Sequence, residues 1–271
     1  MKSQLVLAAA LATLGAVTNG QTTCPSNKHT VTSLPGWGVS PALFPCMYAG
    51  TIEAARKPNV NHNLFYWLFK NTTLTSSAPL IIWIQGETGW SATQGLFVQH
   101  GPLTVSQTTK NNNTYFSVIP SDDGTNLGEI ADILYLDQPV GTGFSFGAND
   151  TDLLTSVSDI SREFVNFIDS FMSMYPEYKA PRDIILMGES TAGKILPVLT
   201  KGLDDYINYQ GGKISIKAIM IGNPFESGVY QRLFSFITAR TLDIIDDSNM
   251  GQVSALRQRC VEQYSNTTGN P

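Results

Sequence analysis

Four short apolar runs most constrain the fold. "PLIIWIQ" (79–85), "ADILYLD" (131–137), "DIILMG" (183–188) and "ISIKAIMIG" (214–222) are apolar on consecutive positions and rich in Ile and Leu. A run of that kind has no polar face, so it suits a strand covered on both sides in a mostly parallel sheet. Between the second and third runs lies "TSVSDISREFVNFIDSFMSMYP" (155–176). Its Ile160, Phe164, Phe167, Ile168 and Phe171 recur at three and four, the spacing of one helical face. Ser156 with Asp159 three residues on predicts a capping box, and Pro176 ends the element. Further helices are predicted over 191–209 and 229–242, and "LFYWLF" (64–69) reads as a buried strand. Strand alternating with helix predicts a right-handed parallel α/β sheet flanked by helices. No repeat or low-complexity segment interrupts it, so residues 21–271 read as one domain.

The amino terminus, "MKSQLVLAAALATLGAVTNG", joins Lys2 to an apolar stretch from Leu5 to about Val17 and small residues before Gln21. That pattern predicts a signal peptide over 1–20, cut near Gly20, and a mature chain in an oxidising compartment. The stretch is too short to span a membrane, and no later segment reaches spanning length. Four sequons follow, at Asn71, Asn112, Asn149 and Asn266, and are expected glycosylation sites. A net charge of -5 without a basic run argues against a nucleic-acid surface. Of the three cysteines, Cys24 lies in a loose amino-terminal stretch, so Cys46 with Cys260 is the expected pair. No Cys-x-x-Cys or His/Cys cluster offers a zinc site, and the reading calls for no metal or cofactor. The sequence leaves the oligomeric state undetermined.

"DIILMGESTAGK" (183–194) passes from strand through Gly188-Glu189-Ser190-Thr191-Ala192-Gly193 to a helix start. A serine on a tight turn of this kind is how an α/β hydrolase presents its nucleophile, with the helix's positive end aimed at the hydroxyl. By contrast, "GTGFSFG" (141–147) has the wrong spacing for a dinucleotide loop and reads as a tight loop packed beside the serine.

Further blocks extend the pattern. "LIIWIQGETGWSATQGLFVQHGPL" (80–103), "ADILYLDQPVGTGFSFG" (131–147), "MYPEY" (174–178), "GESTAG" (188–193) and "IKAIMIGNPF" (216–225) stand in the order and approximate spacing of the serine carboxypeptidases. "YAGTIEAARKPNVNHNLFYWLF" (48–69) is similar to that family's amino-terminal strands, and the resemblance covers roughly residues 35 to 245. It implies an α/β-hydrolase fold, here incomplete at the carboxyl end. It also implies a catalytic Ser190 and an oxyanion hole from the backbone N–H groups of Glu87 and Thr191. Gln85, the Gly86 backbone and Glu189 would clamp the carboxylate of a peptide's carboxyl terminus. A glutamate holds a carboxylate only when one of the two is protonated, which implies work at acid pH in a secreted, lysosomal or vacuolar setting.

The departures fall on the catalytic side. Where the family reads Asn-Gly-Gly-Pro-Gly-Cys-Ser-Ser, this chain has Gln85-Gly86-Glu87-Thr88-Gly89-Trp90-Ser91-Ala92. Glu87 is expected to conflict with a glycine-only conformation and to set a carboxylate near a developing negative charge. Thr191 stands for a Tyr, and Lys194 for a frequent His. In this fold the triad runs Ser, Asp, His along the chain. Yet His29, His62 and His100 all precede Ser190, and each has a structural or solvated reading. The later acids Asp204, Asp205, Asp243, Asp246 and Asp247 read as helix ends and turns, and "VEQYSNTTGNP" reads as a polar, turn-rich tail. Truncation and degeneration both account for the missing partners. Three functions stay open: peptide carboxyl-terminal hydrolysis through Ser190 (with the chain as written inactive), a secreted glycoprotein using the fold as a binding module, and acyl transfer to a small alcohol.

Overall fold

The computed structural model describes residues 24–55, 60–87, 89–149 and 152–268; the predicted signal peptide lies outside them. Strands β1 (Cys46–Glu53) and β2 (His62–Lys70) form an antiparallel pair. They are followed by β3 (Leu80–Ile84), a separate hairpin of β4 (Leu103–Lys110) and β5 (Asn113–Pro120), β6 (Asp132–Leu136) and the two-residue β7 (Phe146–Gly147). Then come helix α1 (Val157–Met174), β8 (Asp183–Glu189), α2 (Ala192–Gln210), β9 (Ser215–Gly222), α3 (Gly228–Thr241) and α4 (Met250–Thr268).

The main sheet runs β1-β2-β6-β3-β8-β9, with β7 attached to β2. Strands β6, β3, β8 and β9 are mutually parallel. All five residues of β3 and of β6 are buried, as consecutive apolar positions require of central strands. The four apolar runs are therefore β3, β6, β8 and β9, and the predicted helices are α1, α2 and α3.

Helices α1 and α2 share one face, packing Phe164, Phe167, Phe171, Leu196, Leu199 and Leu203 onto Tyr66, Ile82 and Leu186. At the start of α1, Asp159 N–H donates to Ser156 Oγ at 3.1 Å, so Ser156 caps the helix, and Ser156 Oγ also donates to Asp159 Oδ2 at 2.6 Å. Among the described residues, no long helix belongs to the cluster on the other face. There Trp83, Ile133 and Tyr135 lie under Leu96 and Leu103, with a π-helical turn at Gly95–Gln99. That turn lies tight on the sheet: a Cβ on Gly95 would come within 2.5 Å of Trp83 Nε1.

Two expectations need correction. The disulfide joins Cys24 to Cys46, and Cys260 is free and exposed on α4. Cys24 belongs to a segment that is not loose: Ala49 N–H donates to His29 O at 2.8 Å and Val31 N–H to Met47 O at 3.0 Å, laying residues 29–31 along β1. The tail expected to be turn-rich continues as helix α4 through Thr268, with Gln258 Nε2 donating to Glu262 Oε1 one turn on.

Candidate active site

Strand β8 ends at Glu189, and Ser190 turns the chain with φ +55 before Thr191, the N-cap of α2. That left-handed conformation costs a side-chain-bearing residue roughly 1–2 kcal/mol. Three backbone bonds hold it: Ser190 N–H donates to Gly222 O at 2.9 Å, and Ser190 O accepts from Phe225 N at 2.7 Å and Gly193 N at 3.0 Å. The flanking glycine is sterically required. A Cβ on Gly188 would sit 2.6 Å from Ala192 Cβ and 2.8 Å from Ile84 O.

The loop after β3 meets this turn. Ile84 pairs with Gly188, so Gln85 leaves the sheet beside Glu189. A Cβ on Gly86 would lie 2.0 Å from Glu189 O and 3.1 Å from Ser190 Cβ. The blocks "WIQGETG" and "GESTAG" are therefore in contact at the carboxyl end of the parallel strands. Glu87 is exposed and its carbonyl accepts from Trp90 N at 3.0 Å. Gly89 has a left-handed φ of +84, and Glu87 does not have a positive φ. The expected backbone conflict at Glu87 is thus absent, although its carboxylate stays on the loop. No hydrogen bond within the described residues uses the N–H of Glu87 or of Thr191.

Asp137, a residue without a role in the sequence reading, ties the site's walls together. It is 1% exposed, and its carboxylate accepts from Ser91 Oγ at 2.8 Å, Ala92 N at 2.7 Å and Phe144 N at 2.8 Å. Burial pushes its pKa up, while these donors pull against the shift. The signal for it was an aspartate directly after an apolar strand, leading into "QPVGTG". Gln99 is a second unassigned residue. Its Nε2 donates to Glu189 Oε2 at 2.7 Å, while Trp83 Nε1 donates to Gln85 Oε1 at 3.0 Å.

The three histidines are each engaged by other side chains. His29 Nδ1 is 2.6 Å from Tyr66 Oη, and His100 packs on Trp83 with ring centroids 4.1 Å apart. Burial holds the pKa of His100 below its usual value. His62 Nδ1 lies 2.8 Å from Glu163 Oε1, both side chains being buried. Burial pushes Glu163 up to about 7, against the Val140 N–H that donates to its Oε2 at 3.1 Å. Among the described residues no hydrogen bond joins Ser190 to a histidine. Of the later acids, Asp205 pairs with Lys201, Asp204 accepts from Asn208 and Asp247 pairs with Arg240. Asp243 and Asp246 belong to the α3–α4 connection. Of the sequon asparagines, Asn112 tips the β4–β5 hairpin at φ +60, and Asn149 and Asn266 are exposed. Asn71 is half-buried, its Nδ2 donating to Gly128 O at 2.7 Å. A cavity of about 1030 Å³, lined by Trp37, Phe44, Phe69 and Asn71 among others, lies at the opposite end of the parallel strands from Ser190.

Residues 41–270 match the family model described as serine carboxypeptidase. The chain belongs to the serine carboxypeptidase family. It is 34% identical over 241 residues to the pheromone-processing carboxypeptidase kex1 of Penicillium rubens, covering 86% of this chain and 37% of that one. It is 32% identical over 209 residues to the probable serine carboxypeptidase CPVL of Mus musculus, covering 77% and 40%. The crystal structure of Kex1(delta)p, a prohormone-processing carboxypeptidase from Saccharomyces cerevisiae, superposes with a TM-score of 0.73 at 25% identity, covering 89% of this chain and 52% of that one. The family match and this superposition establish the α/β-hydrolase type of fold. The chain spans less than half the length of the two curated relatives. No helix of the described residues is long and apolar enough to cross a membrane.

Proposed function

We propose that Ser190, Gln85, Gly86 and Glu189 form a carboxypeptidase-type site that receives the carboxyl-terminal end of a peptide. The backbone N–H groups of Glu87 and Thr191 would face the scissile carbonyl's oxygen, where losing one such donor costs about 3 kcal/mol. The observation that carries this reading is the contact at Gly86, which leaves no room for a side chain between the two loops. The same geometry supports a second proposal. These 271 residues bind a peptide end without hydrolysing it, because His29 is bonded to Tyr66, His62 to Glu163 and His100 is packed on Trp83, with no hydrogen bond to Ser190 among the described residues. A serine without its base loses on the order of a million-fold in rate. The predicted leader, the Cys24–Cys46 disulfide and the exposed sequons support a secreted or lysosomal/vacuolar glycoprotein.

The experiment measures binding and turnover together. The purified protein is titrated calorimetrically with an N-blocked dipeptide while release of the terminal residue is followed. Binding without release is expected, and Gly86→Val, whose side chain would overlap Glu189 O, is expected to weaken binding at least ten-fold. Absence of binding would overturn the peptide-end reading. Release that disappears in Ser190→Ala would overturn the proposed inactivity.

A further inference from the structure

We propose that the large cavity at the far end of the parallel strands from Ser190 is the seat of a carbohydrate, the first sugars of an N-linked glycan carried by Asn71. This rests on the secretory reading of the leader and sequons and is independent of the peptide-end reading.

Asn71 is the first residue after β2, and it lines the cavity together with Thr72 and Thr73, so the whole sequon belongs to the wall. Two bonds fix its position. Its backbone N–H donates to Oδ1 of the buried Asp132 at 2.8 Å, and its Nδ2 donates to the O of Gly128, on the same wall, at 2.7 Å. Thr73 N–H and Thr73 Oγ1 both donate to Asn71 Oδ1, at 2.9 and 2.6 Å. The amide oxygen is thus satisfied, and the bond to Gly128 uses one of the two N–H groups on Nδ2. Glycosylation replaces the other. Nδ2 bonds to the anomeric carbon of a sugar as that carbon's bond to the diphosphate of an activated donor breaks, and the amide proton leaves. The bond to Gly128 O survives this exchange, so the first sugar starts at the cavity wall.

The lining matches a neutral sugar. Trp37 and Phe44 stand edge to face, with ring centroids 5.0 Å apart, and give an apolar surface on which the C–H face of a sugar packs. Ser33, Ser121 and Asn126 offer partners to its hydroxyls. Asn126 Oδ1 already accepts from Gly128 N at 2.8 Å, which leaves the NH2 of Asn126 to donate. Among the described residues the one ionisable group on the wall is Lys70, and Glu177 Oε1 holds its Nζ at 2.7 Å. A charged ligand would find no free counter-charge there. Pockets that bury drug-sized ligands run from about 300 to about 1,000 Å³. At about 1030 Å³, this one has room for more than one sugar ring.

The test uses the full chain secreted with its own leader from a eukaryotic host. A peptide-N-glycosidase acting in heavy-oxygen water removes the glycans, and mass spectrometry of the peptides times release at each asparagine, in native and in denatured, reduced protein. Native release at Asn71 is expected to be about ten-fold slower than at the exposed sequons, because the glycan must leave the cavity before it is cut. After denaturation the rates should be equal. Trp37→Ala should speed native release at Asn71 several-fold and leave the exposed sites unchanged. A glycan shielded only by the neighbouring backbone would not respond to that variant, and an unmoved rate would overturn the proposal. Equal native rates in the wild-type protein would also overturn it, as would an unoccupied Asn71 beside glycosylated exposed sites. Either result leaves the cavity to another occupant and the glycoprotein reading intact. The absence of glycan from every sequon would overturn that reading as well. The wild-type rates decide the matter even if Trp37→Ala is not secreted.

Discussion

At Ser190 a left-handed backbone is forced on a residue that carries a side chain. The conformation lifts the hydroxyl above the sheet, and Gly222 O, Phe225 N and Gly193 N hold it there. Glycine would relieve the strain and alanine would not. Ser190→Gly is therefore expected to be more stable than Ser190→Ala by about 1 kcal/mol in urea denaturation, and an equal or reversed order would contradict the strain. The serine and its glycines were legible in the sequence because they are contiguous and their spacing is dictated by one turn. Gln99 and Asp137 were not. Gln99 acquires meaning only once a π-helical turn lies over β3 and β8, and Asp137 only once two loops converge on it. The pairing of Cys24 was hidden for a similar reason, since nothing local signals that residues 29–31 run beside β1.

Two elements are fixed by a covalent or polar link as well as by apolar packing. The Cys24–Cys46 bridge, 22 residues apart in sequence, fastens the amino-terminal segment to β1. Loop-closure entropy for a span of that size gives about 3 kcal/mol. Replacing both cysteines by serine should lower stability by that order in thermal unfolding, while a maleimide should label only Cys260 in the native protein. The second element is α1, which anchors the loop after β6 through Glu163 and Val140 N–H. Glu163 is pushed from its usual 4.5 to about 7 by burial, so the folded protein holds this proton more tightly than the unfolded chain. Its contribution is present below pH 4.5 and is lost as pH rises toward 7. Stability should accordingly fall over that window, and Asp137, also raised by burial, acts in the same sense. In Glu163→Gln, which keeps an acceptor for Val140 but cannot ionise, the drop in melting temperature between pH 5 and pH 8 should shrink by several degrees. An unchanged drop would show that Glu163 does not titrate there.

For the whole molecule, the sheet order β1-β2-β6-β3-β8-β9 brings the β3 and β8 loops together at one end. Alternating strands and helices foretold the parallel part of that sheet, because buried runs and helical spacing are local patterns. The order of strands and the cover over Trp83 are properties of the assembled chain, and the sequence blocks implied them only through family resemblance. The proposed inactivity rests on a Ser190 set for attack with no histidine hydrogen-bonded to it among the described residues. Its most direct test is the rate at which a fluorophosphonate probe labels the purified protein at pH 5 and at pH 7. Labelling no faster than that of an unactivated serine hydroxyl, and unaltered in Ser190→Ala, is the predicted result. Rapid stoichiometric labelling that Ser190→Ala abolishes would mean that Ser190 is activated, and would contradict the claim.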